Sequence, residues 1–256
     1  MTNTKKTNVK SASRVLDVIE YIVNCSKPPT FRMIREALDI PKSSMSYLLQ
    51  DLITRDYINS DADLKVYYPG LKLIQLGAAS INNTDISREI SFATKKLSED
   101  LKVTAHAAIL DDRFVVYIAK AQSSTDLSLV TNIGFRIPAH ATAVGKVLLA
   151  ALAPSELEMR LKNVELERYT ENTVTSFEKL QEDLLTIDKN GYAIDNQEVI
   201  PGGICIAAPI YDKTNRVIAA ISATMPLTRS TDEFLAEVIK IVCSMANYVS
   251  IRLGKI

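Results

Sequence analysis

The sequence predicts an α+β protein of two domains, an N-terminal winged helix-turn-helix and a larger C-terminal domain in which helices flank one antiparallel sheet. Three observations lead there. Residues 30–56 hold two short amphipathic segments separated by a tight turn at Asp39-Ile40-Pro41. Two β-prone runs around a polar turn follow directly. Beyond residue 105, strand-like runs recur with helical ones at intervals, which argues for helices packed on an antiparallel sheet. The 256 residues, 47% hydrophobic and 23% charged, suffice for two cores.

Residues 1–10 carry Lys5, Lys6 and Lys10 with no acid and little apolar content, so they are expected to be a disordered tail weakly attracted to phosphate. The tail lacks the apolar core of a signal peptide. The winged helix-turn-helix is assigned to residues 11–70. Ser13 suits the cap of a first helix with Val15, Ile19, Ile22 and Val23 inward. Thr30 suits the cap of a second, in which Phe31, Ile34 and Leu38 repeat at helical spacing. Pro41 fits the first turn of a third, because its missing N–H has no intrahelical partner there.

In that third helix Met45, Leu48, Leu49, Leu52 and Ile53 form one apolar stripe, which leaves Lys42, Ser43, Ser46, Tyr47 and Gln50 on the outer side. A helix facing only solvent is usually rich in Glu and Lys. A helix that reads base edges needs short donors and acceptors and an amide such as Gln50. The segment therefore reads as a recognition helix, with a helical hairpin in some unrelated core as the plain alternative. The next segment favours the first reading: Tyr57-Ile58 and Val66-Tyr67-Tyr68 flank the turn-forming Asn59-Ser60-Asp61-Ala62-Asp63, and a hairpin in that place is a wing.

Residues 71–84 predict a linker helix with Leu71, Ile74 and Ala78 on one face, closed by the polar run Asn82-Asn83-Thr84-Asp85. Residues 85–256 form the second domain, opened by a helix bearing Ile86, Ile90, Ala93 and Leu97. Strands are expected at 106–110, 114–119, 127–131, 192–195, 204–211 and 216–224, with Asp111-Asp112-Arg113 and Asp212-Lys213-Thr214-Asn215 as hairpin turns. Helices are expected at 141–152, 155–161, 176–190 (closed by Gly191) and 231–252.

Thirty basic and thirty acidic residues cancel, so net charge gives no support to nucleic-acid binding. Residues 1–60 do carry nine bases against six acids, and Arg14, Arg32, Arg35 and Lys42 fall around the turn. A footprint that small implies more than one copy of the domain on DNA. Cys25, Cys205 and Cys243 show no metal-type spacing, and without an export signal they read as reduced thiols in a cytoplasm. No run of eighteen or more apolar residues suggests a membrane span.

Four motifs in order resemble a known family. Ile40-Pro41-Lys42-Ser43-Ser44 with Leu48-Leu49 is similar to the recognition-helix pattern of the isocitrate-lyase-regulator (IclR) transcriptional regulators. Tyr67-Tyr68-Pro69-Gly70 with Leu76-Gly77 resembles the end of their wing and linker. Gly134-Phe135-Arg136-Ile137-Pro138-Ala139-His140-Ala141-Thr142-Ala143-Val144-Gly145-Lys146, and Gly191-Tyr192-Ala193-Ile194-Asp195 with Pro201-Gly202-Gly203-Ile204-Cys205-Ile206-Ala207-Ala208-Pro209, resemble their effector-domain signatures. The resemblance implies a GAF/PAS-like effector domain, a homodimer often paired into a tetramer, and control of a catabolic operon, with repression the expected sign. With the helical pattern and local charge read above, DNA contacts are expected from Arg14, Arg32, Lys42, Ser43, Ser44, Ser46, Tyr47 and Gln50. The resemblance places the effector against Leu129, Ala143, Val144, Asp195, Gly203, Cys205, Ser222 and Thr224. The family often has His and Arg where this chain has Ser46 and Tyr47, and Arg at Tyr68. Base reading and phosphate anchoring must differ accordingly.

Those effector positions also make physical sense. Unpaired N–H groups at the start of the helix near Thr142 suit a carboxylate, Gly202 and Gly203 allow close backbone approach, and Ser222 and Thr224 point the same way on a strand. A small oxygenated metabolite, a carboxylate or sugar acid, fits such a site. No cofactor or metal is expected, although His106, His140, Asp195 and Cys205 make a metal site conceivable. A thiol hydrolase at Cys205 lacks an orienting acid or oxyanion hole, and Gly145-Lys146 lacks the spaced glycine and Ser/Thr of a phosphate loop. A small-molecule-modifying enzyme and a signalling module that does not bind DNA are the competing classes.

Overall fold

The structure, a computed structural model, describes residues 9–61, 63–82, 85–122 and 132–255. The chain divides into two compact units, Met1–Asn83 and Thr84–Ile256. The expected strand at 127–131, and Leu129 with it, lies outside the described residues, as does the tail before Val9.

The first unit comprises helices α1 (Lys10–Asn24), α2 (Phe31–Leu38) and α3 (Lys42–Thr54), a hairpin of β1 (Ile58–Asp61) and β2 (Val66–Pro69), and helix α4 (Leu71–Asn82). Helix α1 starts three residues ahead of Ser13, without a side-chain cap, so Ser13 sits inside it and Lys10 belongs to the helix and not to a tail. Its buried face is Val18 and Ile22, with Val15 and Ile19 partly covered, whereas Val23 faces out. Thr30 does cap α2, accepting the Met33 N–H at 3.4 Å. Asp39 ends that helix in the left-handed region at φ 47°. Pro41 takes the N-cap position of α3, one residue earlier than its sequence suggested, in extended geometry. Val18, Ile22, Ile34, Ile40, Met45, Leu49, Leu52 and Ile58 form the core these helices share.

The wing pairs Ile58 with Pro69 through to Asp61 with Val66, and Thr30 bridges to Val66 as a third short edge. Gly70 then admits the tight turn into α4. Its N–H donates to Tyr57 O at 2.8 Å, and a Cβ there would collide with the Asp56 carbonyl oxygen. Helix α4 is present as expected, with Leu71 and Ile74 each 67% exposed.

The second unit is one antiparallel sheet in the order β5-β4-β3-β8-β7-β6. Its strands are β3 (Thr104–Asp111), β4 (Phe114–Ala121), β5 (Arg136–Pro138), β6 (Ala193–Asn196), β7 (Gly203–Tyr211) and β8 (Val217–Pro226). The short edge strand β5 was not foreseen, being three residues inside a Gly- and Pro-flanked loop. Helices α5 (Asp85–Leu101) and α9 (Asp232–Arg252) cover one face through Ile90, Leu97, Val238, Val242 and Val249. Helices α6 (Ala143–Ala150), α7 (Pro154–Leu161) and α8 (Phe177–Asn190) contribute Val144, Leu149, Leu161 and Leu180 to the core on the other. Helix α9 is long and apolar enough by composition to match a membrane span. It is amphipathic, however, and seats Val238, Val242, Ala246 and Val249 in the sheet core while Glu233, Glu237 and Lys240 face out. Ser250 ties it to β7 by accepting the Tyr211 N–H at 2.9 Å.

Candidate nucleic-acid interface and ligand pocket

Helix α3 divides as its pattern requires. Met45, Leu49 and Leu52 are buried, while Lys42, Ser43, Ser46, Tyr47 and Gln50 are exposed, Tyr47 at 80%. Ser44 is half-buried on the same helix, and Arg14 is half-buried on α1. Ser46 Oγ donates to Lys42 O at 3.1 Å, so toward a base it is left as an acceptor, suited to an exocyclic amine. Arg32 pairs with Glu36 at 2.8 Å with both side chains largely in solvent. An exposed pair of this kind contributes little and gives way to a phosphate.

In the second unit the sheet brings together residues far apart in sequence. On the face toward α6, cross-strand pairing aligns Thr104, Thr224, Cys205 and Asp195 in one row. His106, Ser222, Ala207 and Ala193 form the next. Above these rows, Thr142 and Val144 from the start of α6, Val199 and Ile200 from the turn between β6 and β7, and Gly203 at the head of β7 line a small cavity that is partly open to solvent. Tyr117 and Ile137 complete the wall.

Tyr117 reaches the cavity through a β-bulge. Ala107 pairs with Ala119 and the next residue, Ala108, with Tyr117, so Ile118 is the extra residue in β4. Residues two apart on a regular strand share a face. Here Ala119 packs in the α5/α9 core and Tyr117 in the α6 core, because the bulge reverses the alternation. The Tyr117 ring lies 5.0 Å from that of His106.

The polar groups that line the cavity are largely withdrawn from water. Burial lowers His106 to about 4, helped by the charge of Lys120, so its imidazole is neutral at physiological pH. Burial pushes the Cys205 thiol up to about 12, and Thr224 Oγ1 donates to its sulfur at 3.2 Å. Tyr117 is likewise raised by burial. Asp195, 8% exposed, rises to about 7: burial dominates and the Glu198 charge adds, while the hydrogen bond from Glu198 N–H and the Lys146 charge oppose. That N–H donates to Asp195 Oδ1 at 2.7 Å. Behind it, the Lys146 ammonium, only 3% exposed, contacts Glu198 at 2.7 Å and Asp183 at 3.0 Å.

At the head of α6, Thr142 Oγ1 accepts the Gly145 N–H at 3.0 Å, so the helix supplies part of its own cap. Gly145 packs against Ala139 so closely that a Cβ would meet the Ala139 carbonyl oxygen.

Of the residues expected at the effector, Val144, Asp195, Gly203, Cys205, Ser222 and Thr224 line this one cavity. Ala143 does not: one residue along the helix from Val144 is a rotation of about 100°, and it is wholly buried in the α6 core. The cavity is also lined by Thr142, where the sequence suggested a helix start facing a carboxylate, by His106, considered there only as a metal ligand, and by Tyr117, Ile137, Val199 and Ile200, which were not expected. Thr142 is signalled as a Thr preceding a helical run, and Ile137 with it falls inside the effector-domain signature. His140, conceivable as a metal ligand, instead bonds the Glu167 carbonyl at 3.0 Å. Among the described residues no three His, Cys, Asp or Glu side chains converge for a metal.

A winged helix with a polar outer face on one unit, and a pocket holding buried polar side chains in a sheet domain on the other, define the class of ligand-responsive DNA-binding regulators. Comparison with known proteins makes the class a family. Residues 11–62 match the IclR helix-turn-helix domain, and residues 78–251 match the family described as bacterial transcriptional regulator IclR, C-terminal. The HTH-type transcriptional regulator KdgR of Escherichia coli (strain K12) is 36% identical over 83% of this chain and 81% of its own length. The HTH-type transcriptional repressor AllR of the same organism is 29% identical over 96% of this chain and 90% of its own. The crystal structure of Thermotoga maritima IclR superposes with a TM-score of 0.76 at 27% identity, covering 96% of this chain and 100% of that one. The chain belongs to the IclR family and is a DNA-binding transcriptional regulator with an effector-binding C-terminal domain.

Proposed function

We propose that Lys42, Ser43, Ser46, Tyr47 and Gln50 of α3 read base edges in the major groove of an operator, with Ser44, Arg14 and Arg32 serving the backbone. The observation that carries this is the division of α3: one side is fully seated in the core, and the other offers hydroxyls, an amide and a phenol to the outside. The protein acts as a homodimer, assembled further into a dimer of dimers. The exposed apolar side chains Leu16 and Val23 on α1, and Leu71, Ile74 and Leu76 on α4, support such pairing, which sets two reading helices about one helical turn apart. It works in the cytoplasm as a repressor of a catabolic operon, a sign supported by the likeness to AllR.

The effector is a small carboxylate or sugar acid held in the cavity between the sheet and α6. Hydroxyls from Thr142, Ser222 and Thr224, and limited space, support a small oxygenated ligand over a large aromatic one. Its binding must favour one spacing of the paired reading helices, since only differential affinity shifts an equilibrium. The domain binds without turnover, so effectors are expected back chemically unchanged.

The test is release of a labelled promoter duplex by a panel of sugar acids and 2-oxo acids. Ser222→Ala is expected to leave effector-free DNA binding unchanged. It should raise the effector concentration for half-release about tenfold, the worth of one buried hydrogen bond. Equal loss of DNA binding with and without effector would remove Ser222 from the ligand site.

A further inference from the structure

We infer that Asp195 meets the effector's carboxylate as a carboxylic acid, so that the pocket takes up one proton with each monoanion it binds and turns dianions away. The inference rests on the carboxylate reading above. Its basis is the charge balance around the cavity.

Among the described lining residues, Asp195 is the one that carries a formal charge when ionised near neutral pH. His106 is buried and neutral, and Cys205 and Tyr117 are held protonated. Residues 123–131, which lie outside the description, contain no lysine, arginine or histidine. The buried cation near Asp195 is Lys146, already divided between Glu198 and Asp183. Ionised Asp195 would make three carboxylates around one ammonium, and a bound carboxylate would make four. Two carboxyl groups forced together in a site of low dielectric share a proton instead.

The geometry says where that proton goes. Asp195 Oδ1 already accepts the Glu198 N–H, which leaves Oδ2 to carry the proton and donate it in a hydrogen bond to the ligand. Solvent supplies the proton, and no covalent bond in ligand or protein changes. The remaining titratable groups facing Asp195 are Cys205 from β7, Tyr117 from β4, His106 from β3 with Lys120 beyond it, Lys146 from α6 and Glu198 from the adjoining turn. His106 and Cys205 titrate well outside the range from 6 to 8.5. Glu198 is the competitor for the proton: burial raises it and Lys146 holds it down.

Calorimetric titration of the full-length protein with pyruvate and D-gluconate, in buffers of different ionisation enthalpy from pH 5.5 to 8.5, tests this. Affinity should be flat below about pH 6 and weaken toward about tenfold per unit above pH 7.5, with proton uptake approaching one per ligand at pH 8. Succinate, a dianion there, should bind at least about 100-fold more weakly than pyruvate. Asp195→Asn keeps a donor without a charge, so it should bind pyruvate with no pH dependence. Glu198→Gln should keep the proton uptake with its onset moved to lower pH, because the Glu198 charge helps raise Asp195 and its loss frees Lys146; uptake abolished by Glu198→Gln would overturn the inference. Wild-type binding that is independent of pH, with no proton uptake, would overturn the inference and leave the carboxylate reading standing. If none of these acids bound even at pH 5.5, the carboxylate reading would fail first and the inference with it. Uptake by the wild-type protein decides the matter even if a variant folds poorly.

Discussion

Lys146→Met is expected to destabilise the effector domain by about 3–5 kcal/mol, the usual cost of breaking a buried ion pair from one side. The side chain is 3% exposed and its ammonium meets Glu198, itself 8% exposed. Removing it leaves that buried carboxylate without a cation against it, and among the described residues Glu198 Oε2 already lacks a hydrogen-bond partner. Asp183, 36% exposed on its side chain, can turn to water and loses less. The loss should therefore fall mainly on Glu198. The double variant Lys146→Met with Glu198→Gln should recover a large part of it, because neither residue then brings a charge. Urea unfolding followed by circular dichroism measures both. A single variant within about 1 kcal/mol of wild type would mean that the ion pair is open to solvent.

Gly145→Ala should cost about 3 kcal/mol, unusually much for one methyl group on a helix, where alanine is otherwise the favoured residue. The added Cβ would run into the carbonyl oxygen and Cα of Ala139. Those are backbone atoms of the 3₁₀ turn Ala139–Ala141, all three buried, so α6 itself has to move. Thr142 and Val144 move with it, and the pocket loses one wall. A fall in melting temperature of roughly 6–12 °C is expected for a domain of this size, together with loss of effector response. Gly77→Ala is the matched control: no atom lies within 4 Å of its Cβ position on α4, so the substitution should be neutral or stabilise by about 0.5–1 kcal/mol.

How much of this was legible in the sequence differs between the two halves. The DNA-reading unit could be read closely because its signals are local: Thr30 as a cap, Pro41 at a helix start, and an apolar stripe from Met45 to Ile53. Its errors were local too. Ser13 lost the cap because α1 begins three residues ahead of it, and Val23, expected inward, faces out. In the second unit, spacing located most strands, but only register could show that Asp195, Cys205 and Thr224 share a row. The resemblance to the family carried those residues over, along with Ala143, which the helix turns away into its core. Tyr117 left no trace, and His106 stood out only as a conceivable metal ligand. One is aimed by a bulge at Ile118 that no composition announces, and the other is a lone buried histidine whose place depends on pairing with Ser222. Lys146 read as an ordinary residue after a glycine because its partners lie 37 and 52 positions away.

The central claim is that the outer side of α3 reads DNA sequence. It is tested most directly by titrating wild-type protein and Gln50→Ala against two labelled duplexes, one from the promoter beside its own gene and one of random sequence, over a range of salt. Wild type should prefer the promoter by about 10³ or more. Gln50→Ala should lose about 1–3 kcal/mol on the promoter alone, with random binding and the salt slope unchanged, since an amide reads bases and neutralises no phosphate. Full discrimination retained by Gln50→Ala, or no preference in the wild-type protein, would contradict it.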